Sequence, residues 1–524
     1  MSAPLRQGSS LPLHMGPQDN EEIATNDSTG PPQTPPHSRC TSTVDEDRLL
    51  KLNGKAWAAG PGFSTPFAER EAGTSLDPKA EEQKRKLETE LQQPIEDSRF
   101  VALLYLHLAS DGEIDEFLKT TIVYNMETRR WELPRSETHA NLKESDMYKP
   151  LVTIINAIIT FFYGDTKKRM AVDTHSKQLS HKEAVPSVRF SLPDISVRAK
   201  GPSFQLPDRK SNGRVPTTGY SNISTCFEIK IENQEWTFGQ QLLQLALYAR
   251  QIFIQQPNRR FVRVLLITEQ NFRLFHFDRS GVQHTEPMNI HEKTHIFVRL
   301  VLGLTSLKEH EIGLDDSIQW KVVRGRKVSG TLTALQTNNT AVTYNLVGIE
   351  PTVRCLSIRD RGITCWSAVD PHTGKPVLVK DCWRAEDRVS EDIHLQKVVG
   401  LPGIVQMISC ERNRGETKRF RGFDESCHSD FLNRIAIRIV MDSDGRSIEH
   451  FQSPKELLCA LRDAIAGHRR LYLNDILHRE VSIDNILLGK PGAGEGYRGM
   501  LMGLDLAKEK KTTSASAELI TVSS

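Results

Sequence analysis

Residues 478–485 place a carboxylate and an amide at a spacing that suits chemistry on a phosphate group. They read H-R-E-V-S-I-D-N, with Glu480 and Asn485 on either side of a short turn. A carboxylate such as Glu480 can accept the proton of a substrate hydroxyl, while the amide oxygen of Asn485 can hold a metal ion on the phosphates. We therefore expect a catalytic loop here, with Glu480 as the general base.

The elements that position this loop carry their own sequence signals. The stretch S-P-K-E at residues 453–456 is a capping box with proline at the first helical position, and it predicts a helix that ends near Leu473. Residues 486–488 predict a strand, and after a glycine-rich turn residues 500–502 predict its hairpin partner. A long helix thus leads into the loop, and a hairpin leads out of it towards Gly503.

The surroundings of the loop resemble the fungal-type protein kinase family. That family typically reads H-R-D-I-S-x-x-N and then D-F-D-L-A, where this chain has H-R-E-V-S-I-D-N and G-L-D-L-A. Further matching stretches are G-R-S-I at 445–448, K-D-C-W-R at 380–384 and F-D-R-S-G at 277–281. The resemblance covers roughly residues 94–508. It implies ATP-dependent phosphoryl transfer to protein Ser or Thr, with ATP and Mg²⁺ as cofactors and an unknown protein as substrate or partner.

Family resemblance also assigns the residues that contact the nucleotide. Lys380 should contact the α- and β-phosphates and pair with a carboxylate on the next helix. Glu391 is the first choice for that carboxylate because it precedes Leu395 by one helical turn. Glu386 and Asp392 are the alternatives.

The phosphate loop and the adenine hinge are the other two nucleotide contacts that the resemblance implies. Residues 360–366 should form the phosphate loop, but Gly362 is their one glycine. Glycines let backbone N–H groups approach phosphates, so we expect reduced nucleotide affinity. The hinge that holds adenine should lie near Met441, after an apolar strand.

The predicted metal site departs most from the family pattern. Gly503 stands where the family has its metal-binding aspartate, which leaves Asn485 and Asp505 as the predicted ligands. Glu480 is one methylene longer than aspartate, and a base misplaced by about 1 Å can cost on the order of a hundredfold in rate. The sequence stops at Ser524, which predicts an incomplete C-lobe. We therefore expect a kinase that is weak or inactive, or alternatively a pseudokinase that acts as a binding module.

A second constellation lies upstream of the catalytic loop. A Pro-Asp pair ending at Asp194 is followed by Glu228 and Lys230 in the form PD…(D/E)-x-K, as in restriction-endonuclease-like nucleases, and the next helix begins with Gln240 and Gln241. Carboxylates of Asp194 and Glu228 on adjacent strands could hold Mg²⁺, and Lys230 could orient the attacking water. A surface strand with alternating, solvent-exposed Glu and Lys would give the same sequence pattern. A metal-dependent nuclease-like domain is therefore a second alternative.

The region around this constellation reads as a mixture of helix and sheet. Strand-like runs occur at residues 188–192, 226–231, 261–268 and 272–277. Between the second and third runs, residues 239–255 place apolar side chains along one stripe and predict a helix. We expect this helix to pack on the sheet.

Composition and charge limit the class of protein. With 38 % hydrophobic and 26 % charged residues and a net charge of +2, the chain resembles an ordinary intracellular protein, cytoplasmic or nuclear. Membrane is excluded as a partner and nucleic acid is not favoured. The predicted fold is α+β and multidomain, with a helix-plus-sheet domain followed by a protein-kinase-like domain with an incomplete C-lobe. The predicted segments are a disordered leader (1–93), an N-terminal α/β domain that could be restriction-endonuclease-like (94–310), connector strands (311–347), a truncated protein-kinase-like domain (348–510) and a disordered tail (511–524).

Overall fold

Two large β-sheets carry the predicted sites. The structure is a computed structural model that describes residues 78–135, 142–182, 189–209, 213–232, 237–423 and 431–510. These residues all belong to one compact unit, Lys55–Ser524. The predicted tail, and the predicted leader up to residue 77, lie outside the described residues.

The helices begin largely where capping and periodicity signals place them. They are α1 (Pro78–Glu90), α2 (Asp111–Thr120), α3 (Glu144–Tyr163), α4 (Phe238–Gln255), α5 (Thr294–Leu304), α6 (Glu391–Lys397), α7 (Thr417–Phe420) and α8 (Pro454–Leu473). Helix α1 falls within the predicted leader, yet Leu87 and Leu91 are buried in a core shared with α4. Residues 78–90 of the predicted leader are therefore helical, because a highly charged run still buries one apolar edge.

The first sheet accounts for most of the strands before residue 300. The strands of this part are β1 (Ile95–Glu96), β2 (Tyr124–Asn125), β3 (Arg130–Trp131), β4 (Arg169–Asp173), β5 (Leu179–Ser180), β6 (Phe190–Ser191), β7 (Ile195–Ala199), β8 (Ile223–Ile229), β9 (Phe261–Ile267), β10 (Asn271–Asp278), β11 (Gly281–His284) and β12 (Met288–Asn289). The sheet order is β1-β11-β10-β9-β8-β7-β4, with β12 beside β10. Helix α4 connects the parallel strands β8 and β9. Helices α3 and α5 share one apolar core with this sheet and α4 shares the other, so both faces are covered.

The second sheet contains Lys380. The remaining strands are β13 (Ile318–Val323), β14 (Arg326–Leu335), β15 (Ala341–Leu346), β16 (Thr364–Val369), β17 (Pro376–Ala385), β18 (Met407–Glu411), β19 (Arg434–Met441), β20 (Ile476–Leu477), β21 (Ile486–Leu488), β22 (Gly499–Leu501) and β23 (Lys508–Glu509). Seven of them form an antiparallel sheet in the order β13-β14-β15-β16-β17-β19-β18. Strands β13 to β15, which lie within the predicted connector, are thus hydrogen-bonded into the same sheet as Lys380, and Trp320, Tyr344 and Trp366 share one apolar core.

The structure confirms a mixed α+β fold for the described residues, with the predicted long helix α8 and the predicted hairpin β21–β22 on either side of the catalytic loop. The side chain of Ser453 accepts a hydrogen bond from the backbone N–H of Glu456 at the start of α8, as the capping box predicts. Within the described ranges, no helix is both long enough and apolar enough to cross a bilayer.

Candidate nucleotide site

Lys380 lies in the middle of β17, with β16 on one side and β19 on the other. Its side chain is buried, and Nζ donates a hydrogen bond to Oε2 of Glu391 at 2.7 Å. Glu391 is the first residue of α6, and its Oε1 accepts the backbone N–H of Leu504 at 2.9 Å. A central strand and a helix start thus bring together two residues that the sequence analysis paired.

The two alternative carboxylates have other partners. Glu386 accepts a hydrogen bond from Asn433 at 3.1 Å, and Asp392 accepts one from Arg412 at 2.8 Å. Glu391 is therefore the carboxylate on α6 that contacts Lys380.

Asp505 is the second anion beside Lys380. It sits in a short 3-10 turn, Leu504–Leu506, and its Oδ1 accepts a hydrogen bond from Lys380 Nζ at 3.0 Å. Asp505 was predicted as a metal ligand; the preceding strand ends at Leu501, and the turn that follows brings the carboxylate to Lys380.

The charges in this cluster stabilise one another. Burial alone would lower the pKa of Lys380, but Asp505 and Glu391 raise that pKa well above its usual value. Burial alone would raise the pKa of Asp505, but Lys380 and Arg361 hold it below its usual range. Lys380 and Asp505 are therefore both charged at neutral pH.

Arg361 is the residue that links this cluster to the catalytic loop. Its Nη1 and Nη2 donate to the two carboxylate oxygens of Glu480, each at 2.9 Å, and Nη1 also contacts Asp505. This fork is the strong, bidentate form of an arginine–carboxylate pair. The predicted general base is thus held in an ion pair with the phosphate loop.

The rest of the catalytic loop is fixed by hydrogen bonds to its own backbone. Asn485 Nδ2 donates to the backbone carbonyl of Glu480 at 2.9 Å. His478 is buried, and its Nε2 lies 3.0 Å from the carbonyl oxygen of Met502. Arg479 has a φ of +70°, a left-handed conformation that is uncommon for a bulky residue and is often found in active-site loops.

Gly503 lies where the metal ligand is expected. Its φ is +84°, and a Cβ at this position would come within 2.5 Å of Asn485 Oδ1. Position 503 therefore faces the amide of Asn485, but glycine offers no ligand. Because both oxygens of Asp505 already contact cations, the residues present do not fit Mg²⁺.

The predicted phosphate loop, residues 360–366, leads into β16, which begins at Thr364, and is packed against its surroundings. Gly362 has a φ of +60°, and a Cβ there would lie 2.8 Å from side-chain atoms of Arg279 and Trp383. The backbone N–H of Trp383 donates to the carbonyl of Arg361 at 2.6 Å. These contacts tie the loop to β17 and to the first sheet.

A family model described as fungal protein kinase matches residues 204–422 and 409–523, which together cover more than half of the chain. The chain belongs to the fungal protein kinase family. The predicted family membership is thereby confirmed, and the match includes β8 to β11 of the first sheet as well as the second sheet. Comparison with curated proteins gave no significant match. A kinase family uses ATP and Mg²⁺ in general.

In this member of the fungal protein kinase family, Met441 ends β19 and is buried. Its carbonyl oxygen accepts the backbone N–H of Ser443 at 3.0 Å, and the N–H of Asp442 is bonded to the carbonyl of Gln406. The strand end that was predicted as the adenine hinge is therefore where the sequence analysis expected it, and the adenine contact itself stays a prediction.

The second constellation also converges in this family member. Lys230 Nζ lies 2.8 Å from Glu228 Oε1 and 3.3 Å from Oε1 of Glu144, while Asp194 Oδ2 accepts the N–H of Ile229 at 2.8 Å. Burial first, and then Glu228, raises the pKa of Asp194 well above its usual value. In the described part of the chain, no set of three or more His, Cys, Asp or Glu side chains could hold a metal ion. The nuclease-like alternative stays a prediction without structural support for its metal.

Several residues of both sites were missed by the sequence analysis. On α4, Gln244 and Tyr248 contact Glu228 at 2.5 and 3.1 Å, whereas the sequence analysis singled out Gln240 and Gln241 on this helix. The signal was available, since Gln244 and Tyr248 are polar residues one turn apart on an apolar helix face. No comparable pattern in the sequence indicated Arg361 as a residue of the site.

Proposed function

We propose that this chain is a kinase-like protein that binds a nucleotide weakly and transfers phosphate to protein Ser or Thr hydroxyls marginally or not at all. The observation that carries the proposal is the buried ion pair between Lys380 and Glu391. This pair is the part of a kinase site that positions the α- and β-phosphates. A pseudokinase that acts as a binding module fits the same observation.

Two features of the site support marginal transfer. Glu480 would have to accept a hydroxyl proton, but both of its carboxylate oxygens are engaged by Arg361. Gly503 removes the carboxylate that would neutralise charge on the transferred phosphate through a metal. Positioning of the nucleotide can persist under these losses, whereas stabilisation of the transition state cannot.

Calorimetric titration of ATP into the whole chain tests the proposed binding of a nucleotide at Lys380. We expect weak binding that Lys380→Met abolishes and that changes little when Mg²⁺ is replaced by EDTA. Lys397→Met is the matched control, because Lys397 is an exposed lysine on α6 paired with Glu509. Circular dichroism verifies that each variant is folded.

The proposal fails if ATP binds equally well to the chain and to folded Lys380→Met, or if neither binds ATP at millimolar concentration. ATP binding that requires Mg²⁺ would contradict the conclusion that the residues of this site do not fit Mg²⁺.

A further inference from the structure

Arg361 occupies the space between the two carboxylates that remain near the phosphate position. We infer that its guanidinium takes the place of a divalent ion, so that the site excludes Mg²⁺ and Mn²⁺ until Arg361 is removed. This inference deepens the proposed function, on which it rests for the location of the site. It can be tested without any nucleotide.

The geometry of the guanidinium supports the inference that it takes the place of a divalent ion. One nitrogen, Nη1, contacts both Glu480 and Asp505, so the two carboxylates face each other across a single cationic group. Two carboxylates that face each other in this way are the donors that Mg²⁺ and Mn²⁺ prefer. The arginine therefore engages both carboxylate oxygens of Glu480 and Oδ2 of Asp505, which could otherwise bind an ion.

Charge and burial make it hard for a divalent ion to displace the guanidinium of Arg361. Arginine stays protonated at any accessible pH, so raising the pH cannot release the carboxylates from it. The side chain of Arg361 is 18 % exposed, and those of Glu480 and Asp505 are 27 % and 9 % exposed. A divalent ion entering this partly buried space would meet both Arg361 and Lys380 at short range, where repulsion is poorly screened.

Local backbone contacts hold Arg361 in this position. Its N–H donates to Asp360 Oδ1 at 2.6 Å, and its carbonyl accepts the N–H of Trp383. Asp360, the first residue of the predicted phosphate loop, thus helps to fix the turn that presents Arg361.

The test is Mn²⁺ binding to the full-length chain, measured by electron paramagnetic resonance in the absence of nucleotide. We expect no site of micromolar affinity in the unmodified chain and a gain of at least about tenfold in affinity, at one ion per chain, in Arg361→Gln. Arg361→Gln combined with Asp505→Asn should lose that site again. Arg359→Gln is the matched control, since Arg359 lies in the same loop and its Nη1 points to the carbonyl of Gln92.

Two results overturn the inference. One is a stoichiometric Mn²⁺ site in the unmodified chain that Asp505→Asn removes. The other is a folded Arg361→Gln variant without a Mn²⁺ site. If Arg361→Gln does not fold, Arg361→Met provides the test, because methionine removes the positive charge and should also admit Mn²⁺. Failure of ATP to bind would refute the proposed function and leave this result unaffected.

Discussion

At the scale of single residues, the site is a chain of alternating charges. Glu391, Lys380, Asp505, Arg361 and Glu480 follow one another in contact, so each internal member has two partners of opposite sign. Such a buried network stabilises the fold only while it is complete, because removal of one member leaves a desolvated charge behind.

Replacement of Asp505 by asparagine tests this network through its pH dependence. Asp505→Asn should lower the free energy of unfolding by about 1 to 3 kcal/mol at pH 7. The pKa of Asp505 is held below its usual range, so its contribution is fully present above the unfolded-state pKa of about 3.9 and is lost as the pH falls towards the folded-state value. Urea unfolding of both proteins at pH 7, 5 and 3.5 should show a difference that is constant between pH 7 and 5 and shrinks at pH 3.5. A difference that grows in acid would contradict the assignment.

Sequence spacing predicted part of the residue-scale arrangement. It located Lys380 and Glu391, which are 11 positions apart, and the loop that holds Glu480 and Asn485. It could not locate Arg361, whose contacts with Glu480 and Asp505 span 119 and 144 positions. Contacts over such separations depend on how a loop folds against distant elements, and no periodicity in the sequence reports that.

At the scale of elements, α8 positions the catalytic loop by lying unusually close to the backbone of its neighbours. A Cβ at Gly467, in the middle of α8, would overlap the carbonyl oxygen of Gly403, which itself has a φ of +79°. Close backbone approach is one of the few reasons for glycine inside a helix.

Alanine at position 467 should therefore destabilise the chain although alanine favours helix. We expect Gly467→Ala to cost about 1 to 3 kcal/mol by overpacking, whereas Gly112→Ala in α2, where a Cβ meets nothing within 4 Å, should gain up to about 1 kcal/mol. Denaturant unfolding of the two variants provides the comparison. Equal, stabilising effects of both substitutions would show that α8 has room at Gly467.

Elements with strong local signals were the ones that the sequence could predict. Helices α4 and α8 and the hairpin β21–β22 carry capping, periodicity or turn residues, and all three are present. Helix α1 was missed because its charged residues hide the two leucines that it buries. Strands were expected within residues 311–347, where β13 to β15 lie, but their pairing into the second sheet depends on long-range contacts that no local pattern reports.

At the scale of the whole molecule, buried ion pairs join the first sheet to the region around the second. Arg421, just after α7, donates to both carboxylate oxygens of Asp278 at the end of β10, and both residues are buried. The next residue, Arg279, donates from Nη1 to the backbone carbonyl of Ser357, and its side chain lies close to where a Cβ at Gly362 would be. The first sheet thus supports the conformation of the loop that presents Arg361.

We propose that this molecule positions a nucleotide but transfers little or no phosphate. The measurement that tests it most directly is transfer of radiolabelled phosphate from ATP to a generic basic protein and to the chain itself, with Mg²⁺ or Mn²⁺, in the unmodified chain and in Lys380→Met. The account predicts that the two proteins give the same background. Transfer by the unmodified chain that Lys380→Met abolishes would contradict it.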